Sequence, residues 1–204
     1  RCQLFYVTPA HQYPLGYIMP LERKMQLLQW AKESNTYIIE DDYDAEFRYK
    51  GMPIPPLAQL DQLQQVIYFG TFSKTLIPSL RVSYLILPLS LVGAFESFHH
   101  DNKSTVSKID QLVIADFMAD GHFARHIEKM RTLYRKKRLA LLKSLQTHLT
   151  KEFTTIGDAA GLHVIIHLPK WLTEAEAIQR ALHAGIAIDP ISRCYQMSPS
   201  SNSV

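Results

Sequence analysis

The sequence predicts an α/β protein, in which a mainly parallel sheet with flanking helices precedes a smaller α+β region. Short apolar runs are separated by an amphipathic helix or by long connections, which is the pattern of parallel strands joined by crossovers. Polar and charged residues follow several of these runs directly. Ligands of open parallel sheets bind beyond the carboxyl ends of the strands, so these residues are the first candidates for a site.

The first part of the chain supplies the predicted sheet. A helix of period 3.6 begins at Pro20 and extends to Glu33, and the polar pair Ser34-Asn35 ends it. Four short apolar runs bounded by proline, glycine or charged residues are predicted to be strands. They are residues 4–8, 37–39, 66–69 and 82–87.

The second part of the chain has a different pattern of predicted elements. Residues 91–149 have a mostly helical pattern, with Gly121 as the likeliest break. Mixed structure follows, with strands predicted at 162–168 and 186–188 and a helix at 174–184 that Gly185 ends.

We predict a domain boundary near residue 125, inside the helical region. Residues 1–125 then form the later part of a large ligand-binding domain, and residues 126–204 form a small C-terminal domain. The serine-rich end, residues 198–203, is expected to be frayed.

Composition excludes several classes of protein. The chain has 204 residues, of which 47% are hydrophobic and 20% are charged, and a formal net charge of +3. These values indicate a globular chain, and they indicate neither a nucleic-acid nor a membrane partner. Cys2 and Cys194 have no metal-type spacing, so we expect free thiols in a reducing cytoplasm. The chain begins at Arg1 without a leader, and we expect it to be a fragment.

Residues that carry chemistry follow three of the predicted strands. They are residues 11–16 after the first, Asp41 and Tyr43 after the second, and Thr71, Ser73 and Lys74 after the third, with Arg81 a few residues further on. Each has an ordinary explanation alone, because a lysine after a strand is usually solvated and an acidic loop is usually a cap. Together they fit one ligand. The amine of Lys74 can form a Schiff base, and Asp41 can keep a pyridine nitrogen protonated. A phosphate dianion can be held by three further side chains, Thr71, Ser73 and Arg81.

Two other features have simpler interpretations. A basic helix from His122 onward offers contacts to DNA phosphate, but its apolar stripe favours a solvated amphipathic helix. Its basic residues are Arg125, Lys129, Arg131, Arg135, Lys136, Lys137, Arg138 and Lys143. The histidines have no convincing metal-ligand spacing, so no metal site is expected.

Three strings carry a resemblance to a known family. Residues 8–16 (TPAHQYPLG), 39–49 (IEDDYDAEFRY) and 68–74 (YFGTFSK) resemble the aminotransferase-like domain of the MocR subfamily of GntR transcriptional regulators. These regulators join a winged helix-turn-helix to a fold-type I aminotransferase-like domain that binds pyridoxal 5'-phosphate and an amino-compound effector. The resemblance therefore implies part of that large domain and its small C-terminal domain.

The resemblance also implies roles for individual residues. Lys74 becomes the lysine that forms the aldimine, Asp41 the partner of the pyridine nitrogen, and Tyr43 the hydrogen-bond donor to the ring hydroxyl oxygen. Arg193 falls where the family has an arginine that receives an effector carboxylate. Thr71, Ser73 and Arg81 become phosphate ligands.

Three functions remain open at this point. The leading hypothesis is an effector-sensing domain of a transcriptional regulator that acts as a homodimer and reaches DNA only through a domain absent from this chain. The alternative is a genuine aminotransferase acting on an amino acid, in which the freed Lys74 moves a proton. A third hypothesis is an interaction module that binds no cofactor.

Overall fold

A four-stranded sheet organises the first part of the molecule. The computed structural model describes residues 3–62, 64–102, 104–157 and 159–196. The strands lie in the order β1 (Leu4–Val7), β2 (Tyr37–Asp42), β3 (Val66–Thr71) and β4 (Ser83–Ile86). β1, β2 and β3 are parallel, and β4 runs antiparallel to β3. The predicted mainly parallel sheet is confirmed.

Helix α1 (Leu21–Ser34) connects β1 to β2 and covers the sheet. Its Leu28 and Ala31 pack with Ile38 of β2 and Val66 of β3 in one buried cluster. Burial of such side chains stabilises the fold by roughly 1.5–3 kcal/mol each for the larger ones. The predicted polar break is confirmed, because Asn35 adopts the left-handed conformation that ends the helix.

A buried carboxylate fixes the connection between β2 and β3. Glu40 is 1% exposed and accepts hydrogen bonds from the backbone N–H groups of Leu57 (2.7 Å) and Ala58 (2.9 Å). These two residues open the short helix α2 (Leu57–Leu60), so the anion lies at a helix N-terminus. Burial raises the pKa of Glu40, and the two N–H groups oppose that shift. Glu40 is therefore a structural member of the acidic cluster.

Three helices follow the sheet: α3 (Leu89–Asp101), α4 (Lys108–Ala119) and α5 (His122–His148). The break at Gly121 is confirmed, since this glycine has a φ of +70°. The prediction missed a second interruption between α3 and α4. There the side chain of Ser107 caps α4 by accepting from the backbone N–H of Asp110.

The last part of the chain forms a two-stranded antiparallel sheet of β5 (Thr154–Ile156) and β6 (Ile165–His167), followed by helix α6 (Glu174–His183). The strand predicted at 186–188 is wrong, because this segment has no strand pairing among the residues that the structure describes. Its Ile188 instead packs against the cluster around Leu172 and Ala177.

Three expectations concern the chain ends and the division into domains. The frayed end at 198–203 and the thiol of Cys2 fall outside the described residues, whereas Cys194 is a free, exposed thiol. The domain boundary near residue 125 falls within the continuous helix α5 and stays a prediction. Within the described ranges, no helix has both the length and the apolar character needed to cross a bilayer.

Helix α5 is joined to the last part of the chain by Arg138, which is 8% exposed. Its guanidinium donates to the carbonyl oxygens of Gly157, Gly161 and His163 and lies 5.2 Å from the centre of the Tyr49 ring. The solvated face predicted for the basic residues of α5 is therefore wrong for Arg138. Charge alone did not reveal this contact because its acceptors lie about 20 residues away in sequence.

The close packing of Gly161 against the His11 ring can be tested by substitution. Gly161 has a φ of +72°, and a Cβ there would overlap the His11 ring, whereas Gly185 has a φ of +76° and open space around it. We expect Gly185→Ala to lower the free energy of unfolding by about 1 kcal/mol through backbone strain alone. Gly161→Ala should cost roughly 2 kcal/mol more, because the histidine ring must move. Urea denaturation measures both, and equal losses would contradict this packing.

Candidate functional site

A cleft of about 520 Å³ lies at the carboxyl ends of the parallel strands. The loop after β1 contributes Tyr13, the loop after β2 contributes Tyr43, and the loop after β3 contributes Lys74. The far wall comes from the segment that ends in Arg193. The structure thus brings together three of the residues singled out from the sequence, Tyr43, Lys74 and Arg193, in a cavity large enough for a small cofactor.

Lys74 presents an uncommitted amine to this cleft. The residue is exposed, and its side chain has no hydrogen bond or ion pair with any part of the chain that the structure describes. Its backbone is held firmly, because the next residue, Thr75, is 2% exposed and its carbonyl oxygen lies 2.9 Å from Nε2 of His126 on α5. A fixed backbone with a free amine suits a covalent attachment point.

Asp41 is the penultimate residue of β2 and lies opposite Phe69 of β3. One of its carboxylate oxygens accepts a hydrogen bond from the hydroxyl of Tyr6. The other oxygen, Oδ1, is buried and has no hydrogen-bond partner. Burial raises the pKa of Asp41, and the bond from Tyr6 opposes that shift. A buried carboxylate oxygen without a donor is costly, so the site fits a ligand that brings an N–H group to it.

Tyr43 has a different partner from the one that the resemblance implied. Its hydroxyl donates to the carbonyl oxygen of His11 at 3.0 Å. His11 is buried, its Nδ1 lies 2.8 Å from Oδ2 of Asp44, and its ring lies 4.6 Å from that of His163. Burial raises the pKa of the Tyr43 hydroxyl, which therefore stays a donor at neutral pH. Its bond to a cofactor ring stays a prediction.

The three predicted phosphate ligands lie beside the β3–β4 connection and do not line the 520 Å³ cleft. Oγ1 of Thr71 accepts from the backbone N–H of Ser73 (3.2 Å) and from the hydroxyl of Ser83 (3.3 Å). Arg81 is exposed and adopts the left-handed conformation, with a φ of 53°. This conformation is uncommon for a residue with a side chain and is frequent at functional sites. Arg81 has no ion pair with the described residues, so its charge is available to an anion.

Arg193 already binds a carboxylate. Its Nη1 lies 3.1 Å from Oδ1 of Asp189, and the side chain remains 53% exposed. A hydrogen bond with the Tyr13 hydroxyl raises the pKa of Arg193, and the charge of Asp189 raises it further. The guanidinium is thus oriented at the wall of the cleft by two neighbours, in a position where a ligand carboxylate can replace that of Asp189.

Sequence reasoning assigned no role to several residues that shape the site. Tyr6 supports Asp41, Tyr13 supports Arg193, and buried His11 and Asp44, with the partly buried His163, support Tyr43. Residues 11–16 were predicted to lie at a strand end of the site and to form part of a motif, but no role was predicted for His11 or Tyr13. The contacts themselves join residues that are far apart in sequence, and only the folded sheet brings these residues together.

The arrangement defines a class of protein. A mainly parallel sheet presents a free lysine and a carboxylate with one buried, unpaired oxygen at its strand ends, and an arginine lines the same cleft as the lysine, as in an aminotransferase-like domain. Residues 2–201 match the family model "Aminotransferase class I and II", and the chain belongs to this family.

Bacterial transcriptional regulators are among the relatives most similar to this chain. The chain is 46% identical over 201 residues to the uncharacterized HTH-type transcriptional regulator YdeL of Bacillus subtilis, covering 98% of this chain and 43% of YdeL. It is 34% identical to the probable rhizopine catabolism regulatory protein MocR of Rhizobium meliloti, covering 97% of this chain and 40% of that protein. The resemblance to MocR-type regulators is confirmed, and the chain spans less than half the length of these relatives.

Solved aminotransferases share the fold. The kynurenine aminotransferase of Pyrococcus horikoshii, solved in complex with PMP, superposes with a TM-score of 0.87 at 27% identity, over 98% of this chain and 50% of that one. LysN of Thermus thermophilus, an α-aminoadipate aminotransferase complexed with a phosphopyridoxyl-leucine, gives 0.83 at 29% identity, over 97% and 51%. These relatives confirm the fold-type I expectation and support pyridoxal phosphate as the cofactor.

Asp41 gives a test of the site that needs no ligand. Its folded pKa is raised above the ordinary value of 3.8, so ionised Asp41 lowers stability as pH rises through the folded pKa. We expect Asp41→Asn to raise the thermal midpoint of the ligand-free protein at pH 7. The gain should vanish at pH values below 3.8, where Asp41 is protonated in both states. Thermal unfolding followed by circular dichroism across this range measures it.

The matched control is Asp116→Asn on an exposed position of α4. It should leave the midpoint unchanged at every pH. A loss of stability in the Asp41 variant at pH 7 would show that the carboxylate is satisfied inside the fold and does not await a ligand.

Proposed function

We propose that this chain is the pyridoxal-phosphate-binding, effector-sensing domain of a transcriptional regulator, with Lys74 as the covalent attachment point of the cofactor. The observation that supports the proposal best is the unpaired amine of Lys74 in one cleft with Arg193, beside the strand end that carries the unsatisfied Oδ1 of Asp41. The amine of Lys74 can condense with an aldehyde, and the guanidinium of Arg193 can bind the carboxylate of an amino acid.

The residues of this chain then divide the binding of the cofactor. When bound, pyridoxal phosphate supplies an aldehyde that condenses with amines and a ring that withdraws electrons. Oδ1 of Asp41 accepts a hydrogen bond from the pyridine N–H and keeps the proton on that nitrogen. This oxygen is available because it has no hydrogen-bond partner among the described residues. Thr71, Ser73 and Arg81 hold the phosphate dianion.

Arg193 binds the effector. An incoming carboxylate takes the place of Asp189 on the guanidinium, which the Tyr13 hydroxyl keeps at the cleft. Arginine suits this role because its planar fork meets both oxygens of a carboxylate. The same ligand would present its amine beside Lys74, where it could replace the lysine as the partner of the cofactor aldehyde.

The curated relatives favour a regulatory role, because YdeL and YhdI of Bacillus subtilis, each 46% identical to this chain, are both HTH-type regulators. In this role the regulator acts as a homodimer in the cytoplasm. It contacts DNA through a domain outside this chain. A second candidate is amino-acid transamination, which the likeness to solved aminotransferases with bound substrates favours. In that case the freed Lys74 amine also moves a proton between substrate carbon and cofactor ring.

The Lys74 variant tests the proposal. We expect the protein incubated with pyridoxal phosphate and reduced with borohydride to gain one pyridoxyl group, which peptide mass spectrometry locates on Lys74. Lys74→Ala should lose this adduct, because no other amine is held at the site among the residues that the structure describes. Lys143→Ala, an exposed lysine on α5, is the matched control and should retain it. A chain that gains no adduct, or gains it elsewhere, contradicts the proposal.

Product analysis separates the two candidate functions. If the domain is a sensor, an added amino acid should displace Lys74 from the cofactor, and no stoichiometric keto acid should form. Repeated turnover to keto acid would identify the chain as an aminotransferase.

Because Arg193 forms an ion pair with Asp189, substitutions of these two residues should have opposite effects on effector binding. Arg193→Lys should weaken binding of a carboxylate-bearing amine about tenfold, since the two-pronged contact is lost. Asp189→Asn should strengthen it, because the carboxylate that the ligand must displace is removed. Titrations of the cofactor absorbance measure both affinities. Equal affinities in the two variants would exclude Arg193 as the carboxylate receptor.

A further inference from the structure

A second cavity, of about 280 Å³, is lined by four basic side chains and no acidic one among the described residues. Lys24 comes from α1, Arg48 from the loop after β2, and Arg131 and Arg135 from α5. The cavity shares no lining residue with the 520 Å³ cleft. It is therefore a separate feature at the contact between the sheet region and helix α5.

These four side chains, which we call the basic pocket, are only partly neutralised by the described part of the chain: the charges of Glu40 and Asp42 act on Lys24, and that of Glu46 acts on Arg131. None of them forms a salt bridge with a carboxylate there. Lys24 donates to the carbonyl oxygen of Pro55 (2.7 Å), Arg48 to that of Lys50 (3.1 Å) and Arg131 to that of Glu46 (2.8 Å). Arg135 is exposed and has no hydrogen bond within the same described ranges.

The nearby carboxylates form no ion pair with these four cations among the described residues. Glu40 accepts from two backbone N–H groups of α2, and Asp42 accepts from the Tyr68 hydroxyl at 2.7 Å. Glu46 has an Oε2 that is buried without a partner, and it does not line the pocket. The acidic groups therefore lessen the positive potential at a distance but leave the guanidinium groups unpaired.

Holding these four cations close together is energetically unfavourable unless an anion binds between them. Lys24 is 1% exposed, and burial is the main cause that lowers its pKa; the charges of Glu40 and Asp42 raise it, and the charge of Arg48 lowers it. Arg131 and Arg135 lie four residues apart, so they share one face of α5. Like charges held together at reduced dielectric repel one another, and a bound anion converts that repulsion into attraction.

We propose that the basic pocket binds a small polyanion of the phosphate or polycarboxylate class, at a site distinct from the cofactor. The volume of about 280 Å³ fits a compact anion. Its four cations can be contacted at once by a ligand with two or more negative charges. Such a ligand links α1 and the loop after β2 to α5, so its binding stiffens the contact on which Arg138 also depends.

Calorimetric titration of the cofactor-saturated protein tests this proposal. Inorganic pyrophosphate and citrate are the two probes, at constant ionic strength. We expect saturable binding of at least one probe with one site per chain, and the stronger probe identifies the anion class. Arg135→Gln and Arg48→Gln should each weaken binding about tenfold, as expected for the loss of one charge-assisted contact.

Two matched variants show whether probe binding is specific to the basic pocket. Lys143→Gln makes the same change of charge on an exposed position of α5 outside the pocket and should bind as the parent does. Arg81→Gln alters the predicted phosphate ligand of the cofactor and should also leave probe binding unchanged. Binding that chloride reproduces at equal ionic strength, that survives Arg135→Gln, or that is lost in Arg81→Gln would overturn the proposal. Absence of saturable binding by both probes would overturn it as well.

Discussion

The parallel register of β1, β2 and β3 is the constraint on which the site depends. It pairs Tyr6 with Ile39 and Asp41 with Phe69, and it carries the loops after all three strands to one edge of the sheet. The Tyr6 hydroxyl reaches Asp41 across the first pair of strands, and Lys74 follows the third strand after a short loop. A slip of one residue would turn Asp41 to the other face, so the buried cluster of the sheet, which fixes the register, also positions the carboxylate.

Stability and function make opposite demands on the acidic residues in and just after the end of β2. Glu40 is buried and fully used, because two N–H groups of α2 neutralise it. Asp41, Asp42 and Glu46 each keep one buried oxygen without a partner, and burial raises the pKa of each carboxyl group. A protein without a ligand would gain by replacing such groups. Their presence beside the strand ends is what a binding site for a cationic or N–H-bearing group requires.

Sequence patterns predicted those features that depend on short stretches of chain. The strands, helix α1 and the break at Gly121 follow from local periodicity and from residues that favour one backbone conformation. The roles of Lys74 and Arg193 came from motifs, and the structure places both in one cleft. The patterns failed where distant contacts decide the outcome: residues 186–188 pack without pairing, and Arg138 is buried by three carbonyl groups. The hydrogen bond from the Tyr6 hydroxyl to Asp41 was not predicted for the same reason, because it joins two different strands.

The central claim is that one cofactor joins the ends of β2 and β3 to the wall formed by Arg193. A crystal structure of the chain with pyridoxal phosphate and an amino acid measures this most directly. The account predicts the pyridine nitrogen within hydrogen-bond distance of Oδ1 of Asp41, the phosphate beside Arg81, and the ligand carboxylate on Arg193 in place of Asp189. A cofactor bound elsewhere, or one whose pyridine nitrogen faces solvent while Oδ1 of Asp41 stays unpaired, would contradict it.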